Sequence, residues 1–392
     1  MAEGKRRRRR RPSDGGKAPV EPTGNGASAT LPVMDAKPDA GDRPKPKPPK
    51  SARRHAERFA ALDLGTNNCR LLIAAPRGRQ LRIVDAFSRI VRLGEGLSQT
   101  GALLPAAMDR AVEALKVCAE KIEKRGVSRQ RCIATQACRA AANGAEFLAR
   151  VEAETGLVFE IISTSEEARL SVKGCAELLD PKAEAGLVFD IGGGSTEISW
   201  IRHGANGAGA DIAAWASMPL GVVSLSERWG GREIDLATYE RIVESVRAEV
   251  AALGDPASLR EIFARDGAHY LGTSGTVTSI AGVHLALPRY RRDVVDGLWL
   301  TIEEARGVTE KLRSMSFDDR AAEPCIGRER ADLVVCGCAI LEALQREWPA
   351  SRIRVGDRGL REGMLADLAD QARRRRRRKT SKRVEKTSTP PA

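Results

Sequence analysis

One short pattern occurs twice in the chain and constrains the fold more than any other feature. An apolar run ends in aspartate, a turn of small and polar residues follows, and a second apolar run begins; the copies read LDLGTNN at residues 62–68 and FDIGGGST at residues 189–196. Each copy predicts a strand, a tight turn and another strand. Glycines let backbone N–H groups approach a phosphate, hydroxyls add donors, and a strand-end aspartate offers the hard oxygen that Mg²⁺ prefers.

The duplication separates two interpretations of these turns. One copy alone would favour an ordinary β-hairpin. Two copies with matching flanks, 127 residues apart, favour two related half-domains that face each other across a phosphate-binding cleft.

The two ends of the chain carry its excess positive charge. Residues 1–58 contain 16 Lys and Arg against 7 Asp and Glu, and residues 372–392 contain 10 against 1, while the whole chain has a formal net charge of +13. The segment between them is therefore acidic, near −5. Both ends offer little apolar surface to offset the entropy of ordering, so we predict that they are disordered. They leave open a nonspecific contact with RNA or other polyanions.

The core of about 313 residues is long enough for two domains. No apolar run reaches the length of a membrane span, and the arginine-rich start lacks the apolar segment of a signal peptide, so no membrane contact is expected. The 8 cysteines lie in or beside apolar segments, which predicts buried reduced thiols and a cytoplasmic location. Cys336 and Cys338 lack a second ligand pair at zinc spacing.

Strands alternate with helices in two successive sets along the core, which is typical of an α/β architecture. The apolar patterns predict strands near residues 59–63, 69–75, 81–89, 132–134, 157–162, 187–202, 213–218, 270–271 and 353–355. They predict helices over Pro105–Lys124, from Glu166 onward, over residues 236–253 and from Arg361 onward. Residues 204–210 are predicted to form a flexible hairpin tip.

Further motifs accompany the two turns along the chain. A third glycine and hydroxyl turn reads GTSGT at residues 272–276, a helix start reads EEAR at residues 166–169, and residues 357–363 read DRGLREG. Together the motifs closely resemble the exopolyphosphatase / guanosine-pentaphosphate phosphohydrolase family of the actin-like ATPase superfamily. The matching stretches are residues 62–70, 91–97, 134–143, 161–170, 190–197, 219–222, 272–276, 330–332 with Gly337, and 358–363.

The match covers the whole core and neither tail, and its departures are small. Thr164 stands where the family usually has glycine, and Thr66 replaces the family's serine but keeps the hydroxyl. The chain turns into arginines at Arg373, so the additional helical C-terminal domain of longer members is not expected.

The resemblance implies a fold and a domain organisation. The fold is α/β, a two-lobed actin-like (ribonuclease H-like) ATPase-superfamily fold with a phosphate-binding cleft between the lobes. It divides the chain into a basic tail (residues 1–57), lobe I (58–170, completed by 356–371), lobe II (171–355) and a second basic tail (372–392).

The resemblance also implies roles for individual residues. Glu167 would be the general base that activates water, and Asp190 and Glu197 would place Mg²⁺ or Mn²⁺. The residues that would hold phosphates are Asp63, Gly65, Thr66, Asn67, Asn68, Arg70, Arg139, Asn143, Gly192, Gly193, Gly194, Ser195, Thr196, Gly272, Thr273, Ser274, Gly275 and Thr276. By position alone, Glu166 and Glu167 would be first-turn acids of a helix, worth a few tenths to about 1 kcal/mol.

The implied activity is release of the terminal phosphate of inorganic polyphosphate, conversion of guanosine pentaphosphate to tetraphosphate, or both. Such chemistry needs positioning, charge neutralisation and an oriented water more than covalent catalysis. One alternative is an actin-like kinase that uses the same turns for ATP, which the match at residues 163–170 disfavours. Another is a non-catalytic polyphosphate or nucleotide sensor, which the presence of Glu167, Asp190 and Glu197 disfavours. A homodimer stays open.

Overall fold

Two β-sheets organise the folded part of the chain. The structure is a computed structural model that describes residues 57–78, 80–204 and 210–387, with the side chains of all these residues except Ala210 and residues 377–387. The strands of the first sheet are β1 Phe59–Leu64, β2 Asn68–Arg77, β3 Gln80–Ile90, β4 Arg129–Ala134 and β5 Glu160–Ile161. Their order in the sheet is β3–β2–β1–β4–β5.

The second sheet repeats the plan of the first. Its strands are β6 Ala185–Ile191, β7 Thr196–His203, β8 Ala210–Met218, β9 Ala268–Thr273, β10 Trp299–Thr301 and β11 Arg352–Gly356. Their order is β10–β11–β9–β6–β7–β8. Just as β1 is antiparallel to β2 and parallel to β4, so β6 is antiparallel to β7 and parallel to β9. The repeat confirms the predicted two-lobed α/β fold.

Helices pack against these sheets and connect their strands. They are α1 Leu97–Thr100, α2 Pro105–Lys124, α3 Gln136–Ala140, α4 Gly144–Thr155, α5 Thr164–Cys175, α6 Val222–Trp229, α7 Leu236–Ala252, α8 Arg260–Ala264, α9 Ser274–His284, α10 Arg292–Val295, α11 Ile302–Ser314, α12 Phe317–Ala322, α13 Val334–Glu347 and α14 Leu360–Thr387. Helix α2 has the predicted bounds. Its Pro105 lies in the first turn, where no N–H is needed, and Ala111, Leu115 and Cys118 form its buried face.

Each sheet buries one face in a core of its own. In the first lobe, α2 and α4 cover the apolar side chains of β1 and β2, with Phe147 of α4 fully buried. In the second lobe, α7, α9, α11 and α13 pack against β6, β9 and β11. Trp200 and Trp348 lie at the centre of this second core, with their ring centroids 5.5 Å apart.

Helices α5 and α14 cross in direct backbone contact. A Cβ added to Gly363 would overlap the carbonyl of Leu170, and a Cβ added to Gly174 would overlap that of Gly359, so only glycine permits the crossing. Helix α14 packs on the first sheet and on α5, while the last turn of α5 packs on the second sheet. The crossing therefore joins the two lobes. The lobe boundary at residue 170 stays a prediction, since α5 contacts both sheets.

The C-terminal tail corrects one prediction. We expected disorder from residue 372, but α14 continues to Thr387. Arginine and lysine are good helix formers, and extending a helix that is already packed costs less than starting one. Ala372 is buried, and Arg376 forms an ion pair of 2.6 Å with Glu57. Residues 1–56 and 388–392, and most of the predicted hairpin tip at residues 204–210, lie outside the described residues.

Two further predictions concern the cysteines and the membrane. All eight cysteines are buried and free, as expected. Within the part of the chain that the structure describes, no helix has both the length and the apolarity to cross a membrane.

Candidate active site

The two repeated turns meet at a cavity between the sheets. The cavity has a volume of about 550 Å³ and is lined by residues of both repeated turns, by the third predicted turn and by the start of α14. The strand-end aspartates occupy equivalent places, because Asp63 pairs in register with Arg70 on β2 and Asp190 pairs with Glu197 on β7. The predicted cleft is therefore present, and it holds most of the predicted residues.

The first turn is held by the segment that follows β3. Gly65 N–H donates to the carbonyl of Asn68 (2.9 Å), which closes the turn. The carbonyl of Thr66 accepts from Gly94 N–H (2.9 Å), and that of Asn67 accepts from the N–H groups of residues 91 and 92 (2.9 and 3.0 Å). The second matching stretch, residues 91–97, thus serves to fix the turn.

The second turn is held in the same way by the start of α6. Gly192 N–H donates to the carbonyl of Ser195 (2.9 Å), and the carbonyls of Gly192 and Gly193 accept from the N–H groups of residues 222 and 223 (3.0 and 2.8 Å). The two turns touch, since a Cβ added to Gly194 would lie 2.7 Å from Thr66 Oγ1 and one added to Gly193 would lie 3.1 Å from Thr66 Cβ. Glycine is needed here for close approach.

The third turn opens α9 at the end of β9. Its Ser274 has a φ of 88°, a strained conformation for a residue other than glycine. Three buried polar atoms on the cavity wall, Ser274 Oγ, Asn67 Oδ1 and Asn68 Oδ1, have no hydrogen-bond partner among the described residues. Buried polar groups are normally paired, so these atoms indicate the place of a polar ligand.

Only one of the two adjacent glutamates on α5 faces the cavity. Ser163 Oγ caps the helix by accepting from Glu166 N–H (3.2 Å). The Glu166 carboxylate turns outward to Arg169 (2.7 and 2.9 Å). Glu167 is 8% exposed, lines the cavity, and accepts from Arg139 Nη1 at 3.2 Å.

Glu167 belongs to a group of four carboxylates that line the cavity. Burial and the nearby Glu197 raise the pKa of Glu167 well above its ordinary value, and Arg139 only partly opposes this. Burial likewise raises the pKa of Asp63 to about 6, that of Glu197 to about 7, and that of Asp190 above its ordinary value. Glu197 Oε1 also accepts from the hydroxyls of Ser195 (2.6 Å) and Ser217 (3.0 Å).

These carboxylates fit a hard divalent cation. Burial is the main cause of their raised pKa values, and a bound cation would favour their ionised forms; Asp190 and Glu197 both line the cavity. Among the residues that the structure describes, no three His, Cys, Asp or Glu side chains are grouped to hold a metal by themselves. A site with few protein ligands suits Mg²⁺, which keeps several of its waters, and does not suit a closed metal cage.

Three arginines line the same cavity without an ion-pair partner among the residues from 57 to 387 that are described: Arg70, Arg330 and Arg361. Arg330 stands beside the third turn, with Nη1 3.8 Å from where a Cβ of Gly275 would be. Burial and the nearby Arg70 lower the pKa of Arg361. Unpaired guanidinium groups in one cavity favour a ligand with several negative charges.

Four predicted phosphate ligands lie off the cavity wall. Arg139 stands behind it, where it bonds Glu167. Both polar atoms of the Asn143 amide bond the backbone of Leu103 (2.8 and 3.0 Å) and hold that loop. Thr196 is fully buried, and its hydroxyl donates to the carbonyl of Leu220 (2.7 Å). Successive side chains of a strand point to opposite faces, so Thr196 points away from the cavity that Ser195 and Glu197, on either side of it, line.

Gly272, the fourth, lies within β9. A Cβ there would contact Phe189 and Val277, in the interior of the second lobe. The motifs placed all four residues near the site, but they did not show that Gly272 lies in the interior or that the side chains of Arg139, Asn143 and Thr196 point away from the cavity.

The structure adds cavity residues that the sequence did not assign. Arg330 and Arg361 lie in matching stretches, but their convergence depends on the tertiary fold. Gln136 lines the cavity at the start of α3, and its Oε1 accepts from Arg139 Nη2 at 2.8 Å. Its position directly after Thr135, at the end of a predicted strand, was the sequence signal that could have identified Gln136 as a cavity residue.

The comparisons with known proteins agree with this geometry. The sequence model of the Ppx/GppA phosphatase family matches residues 72–372. Exopolyphosphatase 2 of Mycobacterium tuberculosis is 31% identical over 326 residues, which cover 80% of this chain and 98% of that protein. The crystal structure of the Aquifex aeolicus member of the family is 27% identical with a TM-score of 0.65, covering 81% of this chain and 98% of that chain.

A fourth comparison concerns the fold alone. The crystal structure of an exopolyphosphatase from Cytophaga hutchinsonii has a TM-score of 0.72 at 22% identity, covering 80% of this chain and 98% of that chain. The fold and the cleft define a two-lobed α/β protein whose two repeated turns line a cavity between its lobes. The chain belongs to the Ppx/GppA phosphatase family.

Proposed function

We propose that this protein is a phosphohydrolase that releases the terminal phosphate of inorganic polyphosphate, converts guanosine pentaphosphate to tetraphosphate, or does both. The observation that carries the proposal is the position of Glu167. It is the buried carboxylate of α5 on the wall of a cavity that also presents three unpaired arginines and the repeated phosphate turns. The M. tuberculosis relative, named exopolyphosphatase 2, supports the substrate class.

The proposed reaction follows from what the side chains can do. The turns around Thr66, Gly193 and Gly275 hold the terminal phosphate groups, and Arg330 and Arg361 neutralise their charge. Glu167 accepts a proton from a water molecule as that water attacks the terminal phosphorus, and the raised pKa of Glu167 favours this proton uptake. The bond from the terminal phosphorus to the bridging oxygen breaks, and the shortened substrate leaves with the electron pair on that oxygen. A Mg²⁺ or Mn²⁺ ion held by Asp190 and Glu197 would neutralise charge on the substrate.

Arg139 acts through Glu167. It donates to Glu167 Oε2, to the carbonyl of Ile162 (2.8 Å) and to Gln136 Oε1, which fixes the guanidinium in place. Held this way, it orients the carboxylate and favours its ionised form. Arg139 is therefore proposed as a positioning residue and not as a phosphate ligand.

A phosphate-release assay tests the proposal. The full chain is incubated with Mg²⁺ and, in parallel, with polyphosphate, guanosine pentaphosphate and ATP, and free phosphate is measured. Release from polyphosphate or guanosine pentaphosphate well above release from ATP supports the phosphohydrolase. No release from any of them, with polyphosphate still bound, would instead indicate a sensor. Consumption of ATP only when a second acceptor substrate is added would indicate a kinase.

A further inference from the structure

The last part of α14 continues past its packing on the body of the protein. Leu365, Leu368 and Ala372 bury the preceding turns of the helix in the core beneath the first sheet. Ala372 is the last buried residue among the described side chains of α14, and the side chains of residues 373–376 are exposed. Residues 373–387, called here the basic helix end, extend the helix by about 22 Å.

The basic helix end lies apart from the central cavity. Of the described residues of α14, Leu360, Arg361 and Glu362 line that cavity. Each residue adds about 1.5 Å along the axis, which places Arg373 about 18 Å beyond Arg361. A phosphate held in the cavity is therefore out of reach of the arginines of the basic helix end, and these arginines are available to a different ligand.

The basic helix end is almost purely cationic. It contains 10 Lys and Arg against one acidic residue, Glu385. The six arginines at residues 373–378 step by about 100° around the axis and so cover the whole circumference of the helix. Arg373 pairs with Asp370 (2.7 Å) and Arg376 with Glu57 (2.6 Å), but these arginine side chains are 47% and 69% exposed, so the pairs compete weakly with a polyanion.

This charge and shape narrow the class of partner. Val384 is the one apolar residue of the basic helix end, so the segment lacks the apolar face with which a helix enters a membrane surface. An α-helix about 10–12 Å in diameter fits the major groove of B-form DNA, which is about 12 Å wide and has a row of phosphates on each side. Arginines on all sides of the helix reach both rows, and each binds phosphate through two parallel hydrogen bonds.

We propose that the basic helix end docks in the major groove of duplex DNA, without preference for base sequence. The inference goes beyond the proposed function, since it gives the chain a second partner that binds away from the cavity. The helix is attached to the folded body at Ala372 and is formed before binding, which lowers the entropy cost of docking.

The test separates docking of a helix from general attraction between charges. Thr380→Pro interrupts the helix and keeps every charge, and Thr380→Ala is its matched control. A second pair replaces six arginines with glutamine, either at residues 373–378 or at residues 6–11, where the chain has an equal run. Affinities of the full chain and its variants are measured by titration at several salt concentrations. The ligands are a short DNA duplex, an RNA duplex of the same length and long-chain polyphosphate.

For the DNA duplex, glutamine at residues 373–378 should reduce the slope of log affinity against log salt by about 3–5, and glutamine at residues 6–11 should reduce it by less than half as much. Thr380→Pro should weaken binding of the DNA duplex at least about fivefold, and Thr380→Ala should leave it unchanged. The RNA duplex has the same charge but a deep and narrow major groove, so Thr380→Pro should change its affinity by less than about twofold, as for polyphosphate.

Three results would overturn the proposal. The first is that the wild-type chain does not bind the DNA duplex. The second is that Thr380→Pro or glutamine at residues 373–378 leaves binding of the DNA duplex unchanged. The third is an equal loss for the DNA duplex, the RNA duplex and polyphosphate in Thr380→Pro, which would show a general polyanion contact. Equal Tm values of the variants and the wild type verify that the folded body is intact.

Discussion

Replacing Glu167 with glutamine separates the chemistry of the site from its architecture. The substitution keeps the volume and the hydrogen bond to Arg139 and removes the basic carboxylate. Glu166→Gln is the matched control, one residue earlier on the same helix. Glu166 bonds Arg169 and Arg131 on the outer face of the protein, so its loss touches surface ion pairs only.

The structure sets the size of the two effects. A general base contributes about 10²–10⁴ in rate, or about 3–5 kcal/mol of transition-state stabilisation. Glu167→Gln should therefore lower kcat by that factor. Glu166→Gln removes partly exposed ion pairs worth about 0–1 kcal/mol to stability and should leave kcat within about threefold.

Stability should change in the opposite direction. Because burial raises the pKa of Glu167 in the folded protein, its ionised form is disfavoured there relative to the unfolded chain. The carboxylate thus costs stability as pH rises above about 4.5, its ordinary pKa, and glutamine removes that cost. Glu167→Gln should raise Tm at pH 8 without added metal and change it little at pH 4.5.

Single-turnover phosphate release and thermal denaturation of both variants, over a range of pH, give these quantities. The acid limb of the wild-type rate profile should lie above the ordinary glutamate range, since Glu167 must be ionised to act. Equal rate losses in the two variants, or a lower Tm for Glu167→Gln at pH 8, would refute the reasoning.

Three further predictions concern the metal, the turns and the tail. Mg²⁺ should raise Tm more at pH 8 than at pH 5.5, because the metal ligand Glu197, whose pKa is raised to about 7, is mostly protonated at the lower pH. Asp190→Asn should abolish most of the rise, and an equal rise in that variant would contradict the assignment. Gly221→Ala should lower activity at least tenfold, since a Cβ there would overlap the backbone of Gly193. The control is Gly307→Ala on the open face of α11, which should stabilise the protein by about 0.5–1 kcal/mol and leave activity unchanged. Similar activity of the two variants would contradict the role given to Gly221. Replacing the six arginines at residues 373–378 with glutamine should keep the helix but reduce the salt dependence of polyphosphate affinity. The affinity is measured by titration at several salt concentrations, and an unchanged salt dependence would show that the tail does not take part in binding.

The elements that the sequence predicted are those with one clear periodicity. Helix α2 was found with its bounds because proline opens it and apolar residues recur every three to four positions. Helix α13 was missed because its segment VVCGCAIL is apolar on every side and buried, and a short apolar run does not distinguish a helix from a strand. Helix α11 had a usable signal, the capping box of Thr301 and Glu304.

The candidate site was predictable where chemistry is local to a turn. The turns around Thr66, Gly193 and Gly275 follow from their composition. Arg330 and Arg361 could not be selected from their motifs, because they reach the cavity only when the second lobe and α14 are assembled around it. Asn143 shows that a residue within a motif need not contact the ligand, since its side chain bonds the backbone of Leu103 and holds that loop in place.

In the mechanism that we propose, a water molecule activated by Glu167 attacks the terminal phosphorus. Hydrolysis of polyphosphate in water enriched in oxygen-18, with mass analysis of the phosphate released in the first turnover, tests it most directly. We predict that each released phosphate carries one oxygen atom from the solvent, and that Glu167→Gln forms this product more slowly by a factor of about 10²–10⁴. Released phosphate without solvent oxygen, or an unchanged rate in the variant, would contradict it.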